Sequence, residues 1–257
     1  MTTTVLVVGC GVFGLVLGPV LFTVIDHHGA RAVPAPTDYP QASGRARPLA
    51  GRACADARRP GNLAARGRLA RAKRLVVAGT GILFACTGAY FGPVWHLPAY
   101  LYLAATGVAV TLIDLQVKRI PDGIVLPSYV VGGLLLGVAS LIAADPVSMV
   151  RAAAGGAAMF ATYATMALIY PAGMGLGDVK WAGVLGLYLA WLGWPQLALG
   201  GVAAFAFAAT ASVALLATGR ARRTSTIPFG PFMLLGALAG VLFGEVIGEW
   251  YVGADAA

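Results

Sequence analysis

Two carboxylates are placed where acids do chemistry instead of wetting a surface. Asp114 follows Thr111-Leu112-Ile113 near the end of an apolar run, and Asp178 closes Gly173-Met174-Gly175-Leu176-Gly177-Asp178, with Val179-Lys180 behind it. Ionisable groups at the ends of apolar runs are functional candidates by default. Two carboxylates that share protons can cut an amide without a metal. One stays ionised and activates water, and the other stays protonated and polarises the scissile carbonyl. A competing reading is two local ion pairs, Asp114 with Lys118 or Arg119 and Asp178 with Lys180. The glycines at 173, 175 and 177 permit close backbone approach. A glycine-rich turn can also cradle phosphate, but here an acid stands where a phosphate loop needs Lys and Ser/Thr. Asp178 opens a helix, whose positive end favours the carboxylate, whereas Asp114 nears a helix C-terminus, which favours the acid. Of the other acids, Asp38, Asp56, Asp145 and Asp255 read as solvated. Glu245 and Glu249 share one helix face and read as a wet helix end.

The elements that must position these acids are membrane helices. The 257 residues are 59% hydrophobic and only 11% charged, against about 25% charged in an ordinary soluble domain. A soluble fold needs a polar shell that so few charges cannot supply, and so much apolar surface excludes disorder. About 20 apolar residues make a span. Eight candidates are legible, at 3–25, 75–93, 97–115, 123–144, 147–170, 179–195, 197–218 and 229–250. The first lacks the positive start of a signal peptide and reads as a retained helix. The sixth is short and close to the seventh. The predicted fold is all-α, a polytopic bundle of about eight transmembrane helices.

Charge sets the expected orientation. With 26–74 in the cytoplasm and the spans alternating, every Lys and Arg except Arg151 falls on the cytoplasmic side, as the positive-inside rule requires. Both termini are then outside. Trp95, Trp191, Trp194 and Trp250 would lie near outer ends and Trp181 near an inner one, as interfacial belts. The net charge of +8 therefore reports orientation. Attraction to anionic lipid headgroups follows from it, and nucleic-acid binding does not, since Tyr39 is the sole aromatic in that loop. Residues 62–74 carry a helical pattern. Three cysteines, Cys10, Cys54 and Cys86, offer no metal-ligand spacing, and Cys10 and Cys86 read as packing residues. His27 and His28 read as interfacial. Gly155, Gly156, Gly200 and Gly201 permit close helix packing, within one chain or between chains.

Three blocks together resemble the type IV prepilin peptidase family, membrane aspartyl proteases of the GxGD type. They are Ile113-Asp114 followed by Arg119-Ile120-Pro121-Asp122, then Gly173-Met174-Gly175-Leu176-Gly177-Asp178-Val179-Lys180, then Ile227-Pro228-Phe229-Gly230-Pro231. Their order and spacing agree with the family over roughly residues 97–250. The resemblance implies that Asp114 and Asp178 are the catalytic aspartates. It implies that Pro121, Asp122, Gly175, Gly177 and Lys180 shape the site, and that Pro228, Phe229, Gly230 and Pro231 are architectural. It implies hydrolysis of the leader from prepilins or pseudopilins at the cytoplasmic face of a bacterial plasma membrane. The expected organisation is a first helix (1–25), a basic cytoplasmic loop (26–74), a peptidase domain (75–250) and a short tail (251–257).

The N-terminal part departs from the family. Asp26-His27-His28-Gly29 stands where Arg-Leu-Pro is common, and the loop holds Cys54 alone where many members carry two zinc-binding Cys pairs. A four-Cys zinc site is impossible, so no metal is expected, and the family's S-adenosylmethionine-dependent methylation is not carried over. Asp122 is expected to receive the basic leader of the substrate. Two rivals are another GxGD protease acting on signal peptides or transmembrane substrates, and an ion-coupled transporter. The transporter would show internal repeats and midplane acids, and a presenilin-like protease would place Tyr before the first aspartate, where Ile113 stands.

Overall fold

A computed structural model describes residues 2–31, 63–171, 173–219 and 227–254. The expectations for the loop around Tyr39 and Cys54, for Arg220, Arg222 and Arg223, and for Asp255 lie outside the described residues, as do the side chains of His27 and His28. Among the described residues there are eight helices and no strand: α1 (Thr2–Arg31), α2 (Leu63–Phe91), α3 (Leu97–Val117), α4 (Asp122–Ile142), α5 (Pro146–Ile169), α6 (Leu176–Leu192), α7 (Trp194–Ala217) and α8 (Gly230–Ala254). Seven are long and apolar enough to cross a membrane. The exception is α6, whose 17 residues reach about 25 Å at 1.5 Å per residue, short of a hydrocarbon core of about 30 Å.

Boundaries follow local chemistry. The pattern at 62–74 does not form a separate piece, because α2 runs without a break from Leu63 to Phe91. It stops at Gly92, whose φ of +67° is left-handed and whose N–H bonds back to the Gly88 carbonyl at 3.0 Å, a common glycine helix stop. The sixth span lies three residues earlier than the apolar pattern suggests, and the seventh starts three residues earlier. Gly193 divides α6 from α7, and Pro195 stands in the first turn of α7, where a proline fits best. α5 is capped by Asp145, which accepts the Ser148 N–H at 3.2 Å and the Ser148 hydroxyl. These bonds hold the Asp145 carboxyl below the usual carboxylate range, with Arg151 adding to the effect.

The chain divides into two compact units, Met1–Leu97 with Ala104–Lys118, and Pro98–Leu103 with Arg119–Ala257. In the first unit α1 packs antiparallel on α2 through small residues. A methyl added at Gly14 would stand 2.9 Å from the Phe84 side chain, and one at Gly18 would stand 2.8 Å from the Val77 backbone. Cys10 is buried against this seam, whereas Cys86 is exposed, so only the first fills a packing role.

In the second unit α6 is the hub, in contact with α4, α5, α7 and α8. Its buried residues lie on every face, as expected for a central helix. Trp181 is 0% exposed and Trp191 8%, so both belong to this core and are not interfacial anchors, unlike the exposed Trp194 and Trp250. α5 meets α6 at Gly155 and Gly156, and α7 meets α8 at Gly200. Those glycines thus serve packing within the chain. The other side of the α7–α8 seam is Gly236, Gly240 and Gly244, where a methyl would come within 2.6 Å of the facing backbone, the close approach that small residues allow between membrane helices.

Candidate active site

Each sequence block has a definite structural job. Asp114 lies in the last turn of α3, in the first unit, and is 4% exposed. Its carbonyl accepts the Lys118 N–H at 2.8 Å, and Lys118 ends the helix in the left-handed region at φ 52°. That conformation costs a non-glycine residue about 1 kcal/mol. It turns the chain sharply into Arg119-Ile120-Pro121. Pro121 is extended and stands as the N-cap of α4, with Asp122 as the first helical residue.

In the second unit, Asp178 is the third residue of α6. Its Oδ2 accepts the Gly175 N–H at 3.1 Å, while its own N–H donates to the Gly175 carbonyl at 3.1 Å. This reciprocal pair closes the first turn as a capping box does and holds the carboxylate at the positive end of the helix. The motif glycines have steric reasons. A methyl at Gly177 would stand 2.9 Å from Ile120 Cβ and 3.1 Å from the Ile120 carbonyl oxygen. Only glycine lets the 119–121 crossing lie directly on the turn that carries Asp178. A methyl at Gly175 would stand 3.2 Å from Asp178 Oδ2.

The ion-pair reading of Asp178 with Lys180 is corrected. Lys180 Nζ reaches both Asp122 oxygens at 2.8 Å. This pair ties the start of α4 to the start of α6, although 58 positions separate the two residues. Asp122 therefore already faces a cation of its own chain, which changes its suitability as the receiver of a basic leader. The Tyr129 hydroxyl donates to the Lys180 carbonyl at 2.7 Å. Farther along α6, the Tyr100 hydroxyl donates to the Tyr188 carbonyl at 2.8 Å.

The far end of α6 is held by Arg151 of α5. Its Nε donates to the Ala190 carbonyl at 2.6 Å, and Nη2 donates to those of Trp191 at 2.5 Å and Leu192 at 3.2 Å. These are the last carbonyls of the helix, which have no partner within it. Nη2 also meets Ser148 Oγ at 3.1 Å, so the cap of α5 and the end of α6 form one network. The third block opens α8. The Phe229 carbonyl accepts the N–H groups of Phe232 and Met233 at 3.0 and 3.1 Å, and its ring packs on Tyr163 and Phe205 with centroids 6.2 and 5.3 Å away. Pro228 precedes this cap, and Gly230 and Pro231 begin the helix.

The sequence did not single out Tyr129 or Tyr163, and Ile120 stood out only as a member of the Arg119-Ile120-Pro121-Asp122 block. Their types are ordinary in a membrane helix, and their partners are remote in the chain. Arg151 carried a signal, as the one basic residue on the opposite side in the expected topology.

Known proteins bear on this arrangement. A family model described as the type IV leader peptidase family matches residues 101–244. The chain is 30% identical over 174 residues to the prepilin leader peptidase/N-methyltransferase of Aeromonas hydrophila, covering 67% of this chain and 59% of that one. It is 33% identical over 173 residues to the protein of that name from Burkholderia pseudomallei, covering 66% and 54%. It is 30% identical over 179 residues to that of Stutzerimonas stutzeri, covering 69% and 61%. The chain thus spans less than two thirds of the length of these relatives. No solved structure matches it.

Proposed function

The chain belongs to the type IV leader peptidase family, and from that premise we propose that it is a membrane aspartyl endopeptidase that removes the leader from prepilins or pseudopilins. The observation that carries the reading is the turn at Asp178. A carboxylate is fixed by a backbone N–H at a helix start, on a glycine that the adjoining 119–121 crossing requires, inside the segment that the family shares.

Asp114 and Asp178 are the two catalytic carboxylates in this proposal. Asp178 enters ionised, favoured by the helix start and the Gly175 N–H. Asp114, buried near a helix end, enters protonated. Asp178 takes a proton from water as the water oxygen bonds to the scissile carbonyl carbon, and Asp114 gives its proton to the carbonyl oxygen. Collapse of the tetrahedral intermediate breaks the C–N bond. The proton held by Asp178 goes to the leaving amine, and Asp114 recovers its own.

Pro121, Asp122, Gly175, Gly177 and Lys180 shape the site, as the Asp122–Lys180 pair and the Gly177–Ile120 approach support. The charge asymmetry of the sequence supports a cytoplasmic active face in a bacterial plasma membrane, with basic segments against anionic lipid. The substrate's apolar helix lies in the bilayer, and cleavage follows a glycine at the leader junction. The proposal covers the peptidase step without S-adenosylmethionine or zinc, since three cysteines in the whole chain cannot build a four-Cys site. Purified protein in lipid vesicles, incubated with a prepilin, is expected to release a mature pilin with an unmethylated N-terminus, read by intact mass. An uncut prepilin, beside a signal peptide or transmembrane substrate that is cut, would overturn the assignment in favour of another membrane protease.

A further inference from the structure

Tyr163 of α5 is 2% exposed, and its hydroxyl is buried without a hydrogen-bond partner. Leaving a phenol O–H unsatisfied away from water is costly, and a Phe would fill the same volume without that cost.

The antiparallel register of α5 on α6 places Tyr163 along α6. A methyl on Gly156 would stand 3.4 Å from Leu187 Cβ and 3.1 Å from the Gly183 carbonyl. One on Gly186 would stand 2.8 Å from Met159 Cβ, and one on Gly183 3.2 Å from Phe160 Cβ. Each turn forward on α5 thus meets one turn back on α6. The next turn puts Tyr163 level with residues 179–182 of α6, within one turn of Asp178. The ring itself is clamped by Phe205, with centroids 5.1 Å apart, and by Phe229 of the third block.

We propose that Tyr163 is a positioning residue for Asp178, a buried phenol held by Phe205 and Phe229 so that its O–H supplies a donor to the carboxylate during the reaction. Gly175 N–H holds Oδ2, and the phenol O–H adds to the groups that fix the rotation of the carboxylate that must take a proton from water. The inference rests on the peptidase reading and gives the Pro228-Phe229-Gly230-Pro231 block a catalytic consequence, because Phe229 is one jaw of the clamp.

The test is Tyr163→Phe in the full-length protein, with prepilin cleavage and thermal unfolding both measured. One lost hydrogen bond to a charged group predicts a fall in kcat of about tenfold, with KM within about twofold and Tm not lowered. Tyr163→3-fluorotyrosine, which keeps the hydroxyl, is expected to restore most of the rate. Wild-type kcat in Tyr163→Phe overturns the inference. If Tm falls as well, Phe205→Leu measures the cost of a loosened cluster with the hydroxyl kept. An equal kcat loss in both variants overturns the proposal, and a larger loss in Tyr163→Phe supports it. Cleavage by the wild type with an unaltered Tyr163→Phe contradicts only this inference, whereas no cleavage by the wild type removes the peptidase reading beneath it.

Discussion

Gly177 sits in the first turn of α6, where alanine is ordinarily the better helix residue by up to about 1 kcal/mol. The Ile120 backbone beside it reverses that sign. Gly177→Ala is expected to lower stability by about 1–3 kcal/mol, the usual cost of overpacking. Cleavage is expected to fall more than tenfold, because the displaced turn carries Asp178. Unfolding in detergent and initial cleavage rates check both halves. The Asp122–Lys180 pair is half exposed, with side chains 56% and 33% accessible, so it contributes no more than about 1 kcal/mol to stability. Its role is register between α4 and α6. Asp122→Lys alone places two cations together and is expected to slow cleavage, and the double exchange Asp122→Lys with Lys180→Asp to recover much of the rate. No recovery would place the function of Asp122 outside the pair. The motifs were legible in the sequence. The partner of Lys180 was not, because proximity in the chain favoured Asp178 while the fold brings Asp122 from 58 residues away.

At the scale of elements, the short helix α6 is held from both ends. Its start carries the Gly175–Asp178 exchange and the bond from Lys180 to Asp122, and its end hangs from Arg151. An apolar replacement leaves three carbonyls without their charged donor, two of them on the buried residues Ala190 and Trp191. Arg151→Met is therefore expected to destabilise the protein by about 2–3 kcal/mol, seen as a lower unfolding temperature. Arg151→Lys, which lacks the planar fork, should recover only part of the loss, and an unchanged Tm in Arg151→Met would discredit the cap. Apolar runs of span length made the helices readable, and only their ends moved. The break between α6 and α7 shifted because the hydrophobic run continues through Gly193 and Pro195, so hydropathy alone could not see a stop set by backbone chemistry. Trp181 read as an interfacial anchor for a related reason. Its place near a span end is visible in the chain, but the central position of α6 is a property of packing.

For the molecule as a whole, composition settled the class, since 11% charge in 257 residues leaves only a membrane protein. The packing code was less visible. Gly236, Gly240 and Gly244 recur every fourth residue and face Gln196, Gly200 and Ala204 across the α7–α8 seam. In a chain with 35 glycines, this spacing was hard to distinguish from abundance. The family match over 101–244 covers the three motif-bearing blocks, and the shared segment holds both aspartates. Peptidase activity therefore depends on those two carboxylates in the proposed mechanism. The most direct measurement is cleavage of a purified prepilin by the reconstituted protein carrying Asp114→Asn or Asp178→Asn, with membrane insertion and unfolding temperature checked for each. Catalysis by the two carboxylates predicts that each variant inserts, keeps its fold and releases no mature pilin. Wild-type cleavage by either variant would contradict it.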